Sequence, residues 1–310
     1  MISKLQSTND AKVSVVITCY KYAHFLPLAM ESVLNQTHHN VEVIMVNDGS
    51  PDNTDEVMQR YLSDPRVVYI NQANAGQAIA KNNGIKRATG DFVAFLDADD
   101  IWELDKLEKQ LKLFANPAVG VVYCRVKYMD EKGAPVTIPD RALWQPARGK
   151  ITDAIFRDNL IPFCATVVRR ECFDKVGMMD PQFKMGIDWD LWLRMSVHYE
   201  YDFVDEALLR YRVGHSGQMS KNYLQREADT MRIMETFVRA NPGLLPASLV
   251  RWAYAYSYCN RGYYFRRDER WKSLSFYFKA IGTRWQHTQA YVGIVKWVGW
   301  QVLSPLGLKR

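Results

Sequence analysis

No run in this 310-residue chain reaches the about 18 apolar residues that a membrane-spanning helix needs. The polar N-terminal extension 1–12, MISKLQSTNDAK, lacks the apolar core of a secretory signal, so a cytoplasmic location is expected. The five cysteines, Cys19, Cys124, Cys164, Cys172 and Cys259, are odd in number and nowhere spaced as CxxC. Neither a disulfide framework nor a structural zinc site is therefore suggested, and packed, reduced thiols are expected. Internal repeats and low-complexity segments are missing as well, which argues against a solenoid or array. Acidic residues are scarce at one end only. Residues 241–310 hold 11 Lys or Arg against 2 Asp or Glu, net +9, while the residues before them sum to −3. That basic excess sits on no recognisable nucleic-acid motif, so no nucleic-acid partner is expected.

What is present is 48% hydrophobic content, enough for one large core or a core with a smaller appendage. The first half alternates strand and helix patterns. VSVVITC (13–19) is a β-branched strand, and HFLPLAMESVLNQT (24–37) carries apolar residues at helical spacing. VEVIMVN (41–47) leads through a Gly- and Pro-bearing turn to a helix capped by Asn53 or Thr54. RVVYI (66–70), a helix within GQAIAKNNGIKRAT (76–89) and DFVAFL (91–96) complete the series. Such alternation predicts an α/β fold, a mostly parallel sheet with helices on both faces. Later, GVVYCRVKYMDEKGAPVTI reads as two strands joined by a Glu-Lys-Gly turn, DWDLWLRMSVHY as a helix, and YDFVDEALLRYRVGH as further strands of a mixed sheet. The expected divisions are 13–120, 121–220 and a helical 221–310.

In an open parallel sheet, ligands sit at the carboxyl ends of the strands. Those ends read TCY (18–20), NDGS (47–50), NQANAG (71–76) and DADD (97–100), so four polar loops share one rim. Asp97, Asp99 and Asp100 cannot share a small volume as anions unless a cation or strong donors neutralise them. Mg²⁺ or Mn²⁺ would do so, because these ions bind through one or two carboxylates plus substrate phosphates and waters. An acidic helix start, with Asp100 capping a helix that begins near Trp102, would account for the same residues without a metal.

Five segments in this order resemble the inverting glycosyltransferases of family 2, of bacterial surface-polysaccharide type, with the Rossmann-like GT-A fold. They are SVVITCYKYAHFLPLAMESVLNQT, VEVIMVNDGSPDNT, NAGQAIAKNNGI, GDFVAFLDADDIW and GIDWDLWLRM. The resemblance implies a nucleotide-sugar-binding half at 13–120, an acceptor-binding half at 121–220 and a basic, aromatic-rich helical tail at 221–310. It implies that Thr18 and Tyr20 line the base pocket, Tyr20 by stacking, unless Tyr20 is a core aromatic. Asp48 would accept from the base, and the Asp that usually precedes it is Asn47 here. Asn74 and Gly76 would bring backbone close to the nucleotide. Lys81, where the family usually has Arg, would meet the diphosphate as a point charge or remain a solvated helix lysine. Asp97 and Ala98 would contact the nucleotide, Asp97 and Asp99 would hold the metal, and His215 could join them or be a packed histidine. Arg212 is a second candidate for a phosphate contact.

By the same resemblance, Asp188 is the base that takes the acceptor's proton, as a hydroxyl with a pKa far above 7 requires. Trp189 and Asp190 are candidate acceptor contacts, although both could be structural. Ile187 replaces the family's usual Glu, which leaves open a catalytically inactive, membrane-associated assembly partner. The expected partners are a nucleotide-sugar donor, UDP-sugar favoured, and a glycan or lipid-linked oligosaccharide acceptor. An aspartyl-phosphate phosphatase would carry its DxD at the first strand, whereas here it ends the fourth. The tail, WAYAYSYCNRGYYFRRDERWKSLSFYFKAIGTRW followed by YVGIVKWVGWQVLSPLGLKR, reads as a helical pair joined near Asp268 and a last helix. Its aromatics and cations suit an anionic membrane surface at the inner face of the cytoplasmic membrane, or packing inside a helical subdomain.

Overall fold

The structure, a computed structural model, describes residues 10–138, 145–215, 217–218, 223–266 and 269–303. The chain divides into two compact units, one within 1–218 and one within 219–310.

The first unit is built on one nine-stranded mixed sheet. Its parallel part contains β1 (Val13–Cys19), β2 (Val41–Asp48), β3 (Val67–Gln72) and β4 (Phe92–Asp97) in the order β3-β2-β1-β4. β1 and β2 are buried nearly throughout, as a β-branched run between two covered faces requires. After β1 the chain moves outward to β2 and β3, then returns to place β4 on the other side of β1. The reversal puts a crevice at the carboxyl ends of β1 and β4, where Thr18 and Asp97 are direct register partners.

Three helices link these strands: α1 (Leu26–Leu34), α2 (Thr54–Gln59) and α3 (Gln77–Arg87). The cap of α2 differs from expectation. Neither Asn53 nor Thr54 caps with its side chain; instead Asp52 Oδ1 accepts from Thr54 N at 3.2 Å and Thr54 Oγ1 at 2.6 Å. α3 lies against β1 so closely that a Cβ at Gly84 would stand 2.4 Å from Val16 Cγ1. The stretch after β4 is not a helix start: Ile101–Trp102 forms a short strand, β5, and α4 begins only at Lys106 (Lys106–Leu111).

The mixed extension comprises β6 (Val119–Met129), β7 (Pro135–Val136), β8 (Val167–Arg169) and β9 (Glu200–Arg212). β6 and β7 form the expected hairpin, while YDFVDEALLRYR is one long strand, β9, rather than several. β8 joins β4 to β6, and β9 runs parallel to β6 and pairs with β5. The helices here are α5 (Thr152–Arg157), α6 (Glu171–Val176) and α7 (Ile187–Ser196).

The second unit is helical: α8 (Tyr223–Ala240), α9 (Ala247–Phe265), α10 (Arg270–Thr283) and α11 (Thr288–Leu303). Its small core gathers Ala255, Cys259, Tyr277, Ala280 and Ala290. The Tyr277 ring sits between two glycines, Gly262 of α9 and Gly293 of α11, and an added Cβ would come within 2.8 Å and 2.2 Å of it. The expected junction near Asp268 lies outside the described residues. All five cysteines are buried and unpaired with one another.

Candidate active site

The register of β1 against β4 brings Thr18 and Asp97 side by side, and α3 places Lys81 across them. Lys81 Nζ donates to Asp97 Oδ1 at 2.6 Å and to Thr18 Oγ1 at 2.9 Å, and it lies 4.9 Å from the centre of the Phe163 ring. Burial alone would lower the Lys81 pKa, but Asp97 outweighs it and holds the ammonium above its usual range. A buried lysine held charged at a strand-end crevice is a fixed cation, not a solvated one.

β9 completes the other side. Pairing with β5 runs its end past the DADD turn, so Arg212 N donates to Asp100 Oδ1 at 2.9 Å. Three residues after the strand, His215 Nε2 lies 3.0 Å from Asp99 Oδ2, with its buried ring edge-on to Tyr22 and Phe25. Arg212 is committed elsewhere. Its guanidinium donates to the backbone carbonyls of Asp99, Asp130 and Glu131 and stacks 4.3 Å above Phe25. These bonds make Arg212 a clamp on the loop that carries Asp99.

The Asp188 helix, α7, is positioned by the segment before it. Asn82 of α3 exchanges two hydrogen bonds with the Met179 backbone, at 2.8 and 3.0 Å, and Gln77 Nε2 donates to Lys184 O at 2.9 Å. Both tethers leave the same helix that carries Lys81. Asp188 is half-buried, and Asn159 Nδ2 donates to its Oδ2 at 2.9 Å. Burial raises the Asp188 pKa above the ordinary aspartate range, opposed by Asn159, by backbone donors and by the charge of Lys81.

The remaining expected residues divide. Tyr20 is exposed and available, with Lys21 Nζ 5.0 Å from its ring centre. Asp48 is buried and spends its carboxylate on the next loop, accepting from Gln72 Nε2, Ala75 N and Gly76 N at 2.8, 2.8 and 3.0 Å. Asn74 Nδ2 donates to Asp48 O at 2.8 Å, so the segment 72–76 is bound to the end of β2. Ala98 is fully buried in the core. Trp189 is also buried and donates through Nε1 to Ile155 O at 2.6 Å, and Asp190 is buried and paired with Arg194 at 2.7 Å. Neither of these presents its side chain to a crevice; the two hold α7 in place. Ile187 packs in the interior as well.

Sequence reasoning missed Asn159, Asn82, Cys164 and Tyr22. Cys164 Sγ accepts from Asp97 N at 3.3 Å, and burial, followed by Asp97 and Asp100, drives its thiol pKa up, so it stays protonated beside the carboxylates. Asn47 has a local reason. Its Nδ2 donates to Asp55 Oδ1 at 2.9 Å, where the aspartate usual at this position would repel Asp55.

Among the described residues no three His, Cys, Asp or Glu side chains form a ready-made metal cluster. The donor set nevertheless suits a hard divalent ion. Asp97 and Asp99 each engage one oxygen, with Lys81 and His215 respectively, and Asp100 Oδ2 is a buried oxygen with no hydrogen-bond partner. Two carboxylates completed by phosphate oxygens and waters are what Mg²⁺ or Mn²⁺ accept.

The family model for glycosyl transferase family 2 matches residues 14–177. The putative teichuronic acid biosynthesis glycosyltransferase TuaG of Bacillus subtilis is 32% identical over 216 residues, which cover 68% of this chain and 82% of TuaG. The chain spans only 30% of the length of an uncharacterized Rickettsia bellii glycosyltransferase to which it is 32% identical over 212 residues. Among solved structures, Staphylococcus aureus TarS 1–349 in complex with UDP-GlcNAc aligns with a TM-score of 0.68 at 16% identity, covering 88% of this chain and 81% of that one. The mannosyltransferase PcManGT from Pyrobaculum calidifontis, in complex with GDP-Man and Mn²⁺, aligns with a TM-score of 0.65 at 17% identity, covering 94% and 81%.

Proposed function

Because the chain belongs to glycosyl transferase family 2 and has the GT-A fold, we propose that it transfers a sugar from a nucleotide-sugar to a glycan or lipid-linked acceptor in surface polysaccharide synthesis, with inversion. The observation that carries this reading is the joining of Thr18, Lys81 and Asp97 at the strand ends by α3, which also tethers the segment leading to Asp188. A UDP-sugar donor is favoured, supported by the TarS complex with UDP-GlcNAc.

In this reading Tyr20 stacks on the base and Thr18 and Asp97 border the ribose. Lys81 is a preformed cation for the diphosphate, already desolvated, so it costs no reorganisation when negative charge builds on the leaving group. A divalent ion, Mn²⁺ or Mg²⁺, would be held by Asp97 and Asp99, with His215 orienting Asp99, and would supply Lewis-acid neutralisation of the diphosphate. Asp188 accepts the proton of the attacking hydroxyl. Its partial burial raises its proton affinity toward the working pH, which is the direction a general base needs. Asn159 holds one Asp188 oxygen and so orients the carboxylate. In this reading Asp188 acts as a base and forms no covalent bond to the sugar, so the displacement is single and inverts the anomeric centre.

The test is a donor panel of UDP-, GDP- and dTDP-sugars, assayed by mass spectrometry with Mn²⁺ or EDTA. One donor is expected to turn over slowly with metal, and Asp99→Ala and Asp188→Ala are expected to be silent. If nucleotide binds but no donor turns over even with membrane extracts as acceptor source, the chain is an inactive assembly partner and this reading falls.

A further inference from the structure

The second unit exposes an apolar surface that no step of glycosyl transfer uses. Trp271 is 77% exposed, Val295 70% and Phe278 58%. On α10, Trp271 and Phe278 stand seven residues apart and so share one face, and Lys272 and Lys279 follow each by one position. On α11, Val292, Val295 and Val298 repeat at intervals of three and are each about half exposed or more.

Side-chain contacts join the two helices into one surface. The Trp271 and Trp297 rings lie 5.5 Å apart, and Trp297 Nε1 donates to Arg270 O at 2.9 Å. At the opposite end Tyr291 Oη donates to Trp285 O at 2.8 Å, and the Trp285 side chain is 71% exposed. The close seat of Tyr277 against Gly293 fixes α11 on α10, so the exposed stripe is a built face rather than a loose end. From Arg270 to Leu303 the sequence has five Lys or Arg and no Asp or Glu. Among the described residues no helix is long and apolar enough to cross a membrane.

We propose that this face of α10 and α11 docks on an anionic lipid bilayer, lying along the headgroup boundary with the aromatics and valines toward the acyl chains. Two features of the face select this occupant. Exposed Trp and Tyr beside aliphatics suit an interface that is apolar on one side and wet on the other. The charge around them is predominantly positive, five Lys or Arg from Arg270 to Leu303 against Glu269, which pairs with Lys272 at 3.0 Å, and this excess complements anionic headgroups and disfavours a second copy of the same face. This inference is independent of the donor, the metal and the Asp188 assignment.

The experiment is flotation of the full chain with vesicles of phosphatidylcholine alone and with phosphatidylglycerol added, at low and high salt, with light scattering in parallel. The expected result is flotation with the anionic vesicles only, lost at high salt. Lys279→Gln with Lys296→Gln should weaken partitioning about 25-fold, at about fivefold per lysine near the surface. Val292→Asp with Val295→Asp should abolish it. Both variants alter exposed side chains, so circular dichroism and thermal unfolding should be unchanged, which separates lost docking from lost folding. Absence of flotation, or equal flotation on neutral vesicles, overturns the proposal. So does a dimer that the Val295→Asp variant converts to monomer without any vesicle binding, which would assign the face to a second copy.

Discussion

At the residue scale, the site depends on two side chains whose protonation is set by burial against a neighbour. For Lys81 the neighbour wins and the group stays charged; for Asp188 burial wins and the group gains proton affinity. Asp188→Asn should therefore keep donor affinity within a factor of about two while lowering kcat by about 10²–10⁴-fold, the usual contribution of a general base. A steady-state assay beside a nucleotide-binding titration would separate the two effects. The pH profile follows from the sign of the shift. The base works ionised, so kcat/KM should fall as pH drops through a pKa above the ordinary aspartate value. Asn159→Ala removes a donor that stabilises the carboxylate, which should move that limb to higher pH. A purely structural role for Asn159 would leave the limb in place. Stability runs the opposite way. A carboxyl with a raised folded pKa favours folding most below its unfolded pKa, and that contribution is lost as pH rises through the folded one.

At the scale of elements, two contacts decide how the parallel strands and α3 assemble. Glu42 of β2 accepts from Ser14 Oγ of β1 at 2.5 Å, from Lys12 Nζ at 2.7 Å and from Thr89 N at 2.7 Å. Burial would raise its pKa, but these donors prevail and lower it from 4.5 to about 2. A depressed carboxylate stabilises the fold above its unfolded pKa, so this share should be lost as pH falls from 4.5 toward about 2. Glu42→Gln should cost about 1.5–3 kcal/mol at neutral pH, measured by urea unfolding, and should flatten stability across that window. The second contact is Gly84 against Val16. Gly84→Ala must push α3 off β1, an overpacking cost of about 1–3 kcal/mol. Because α3 also carries Lys81, Asn82 and Gln77, the same substitution should weaken donor binding even though residue 84 touches no ligand. Equal donor affinity in the folded variant would show that the crevice does not depend on that seat.

At the scale of the whole molecule, the division into two compact units predicts that thermal unfolding need not be a single transition. A nucleotide bound at the strand-end crevice stabilises only the unit that holds it. At about 100 times its Kd a ligand adds about 2.7 kcal/mol, so UDP with Mn²⁺ should raise the transition of the sheet unit and leave that of the helical unit unmoved. Calorimetry with Asp99→Ala should retain the nucleotide effect and lose its metal-dependent part. A shift of both transitions together would mean that the units unfold as one.

Much of this molecule was legible in its residues. The β-branched runs, the helical spacings and the polar strand ends determine the parallel half and its ligand rim, because those signals are local and the periods of strand and helix differ. The family motifs also point to Asp97, Asp99, Lys81 and Asp188. Tertiary structure alone decided what each of these does with its charge. Lys81 meets Asp97 because β1 and β4 are register partners and α3 crosses them; Arg212 and His215 reach the DADD turn, more than a hundred residues away, through the pairing of β5 with β9. Asp48 turns to its own loop, and Trp189 and Asp190 turn inward, because buried polar atoms must find partners wherever the fold places them. In the tail, the sequence determines that aromatics and cations are abundant. Which of them remain outside depended on how Tyr277 seats between Gly262 and Gly293, a contact between helices that no local pattern encodes.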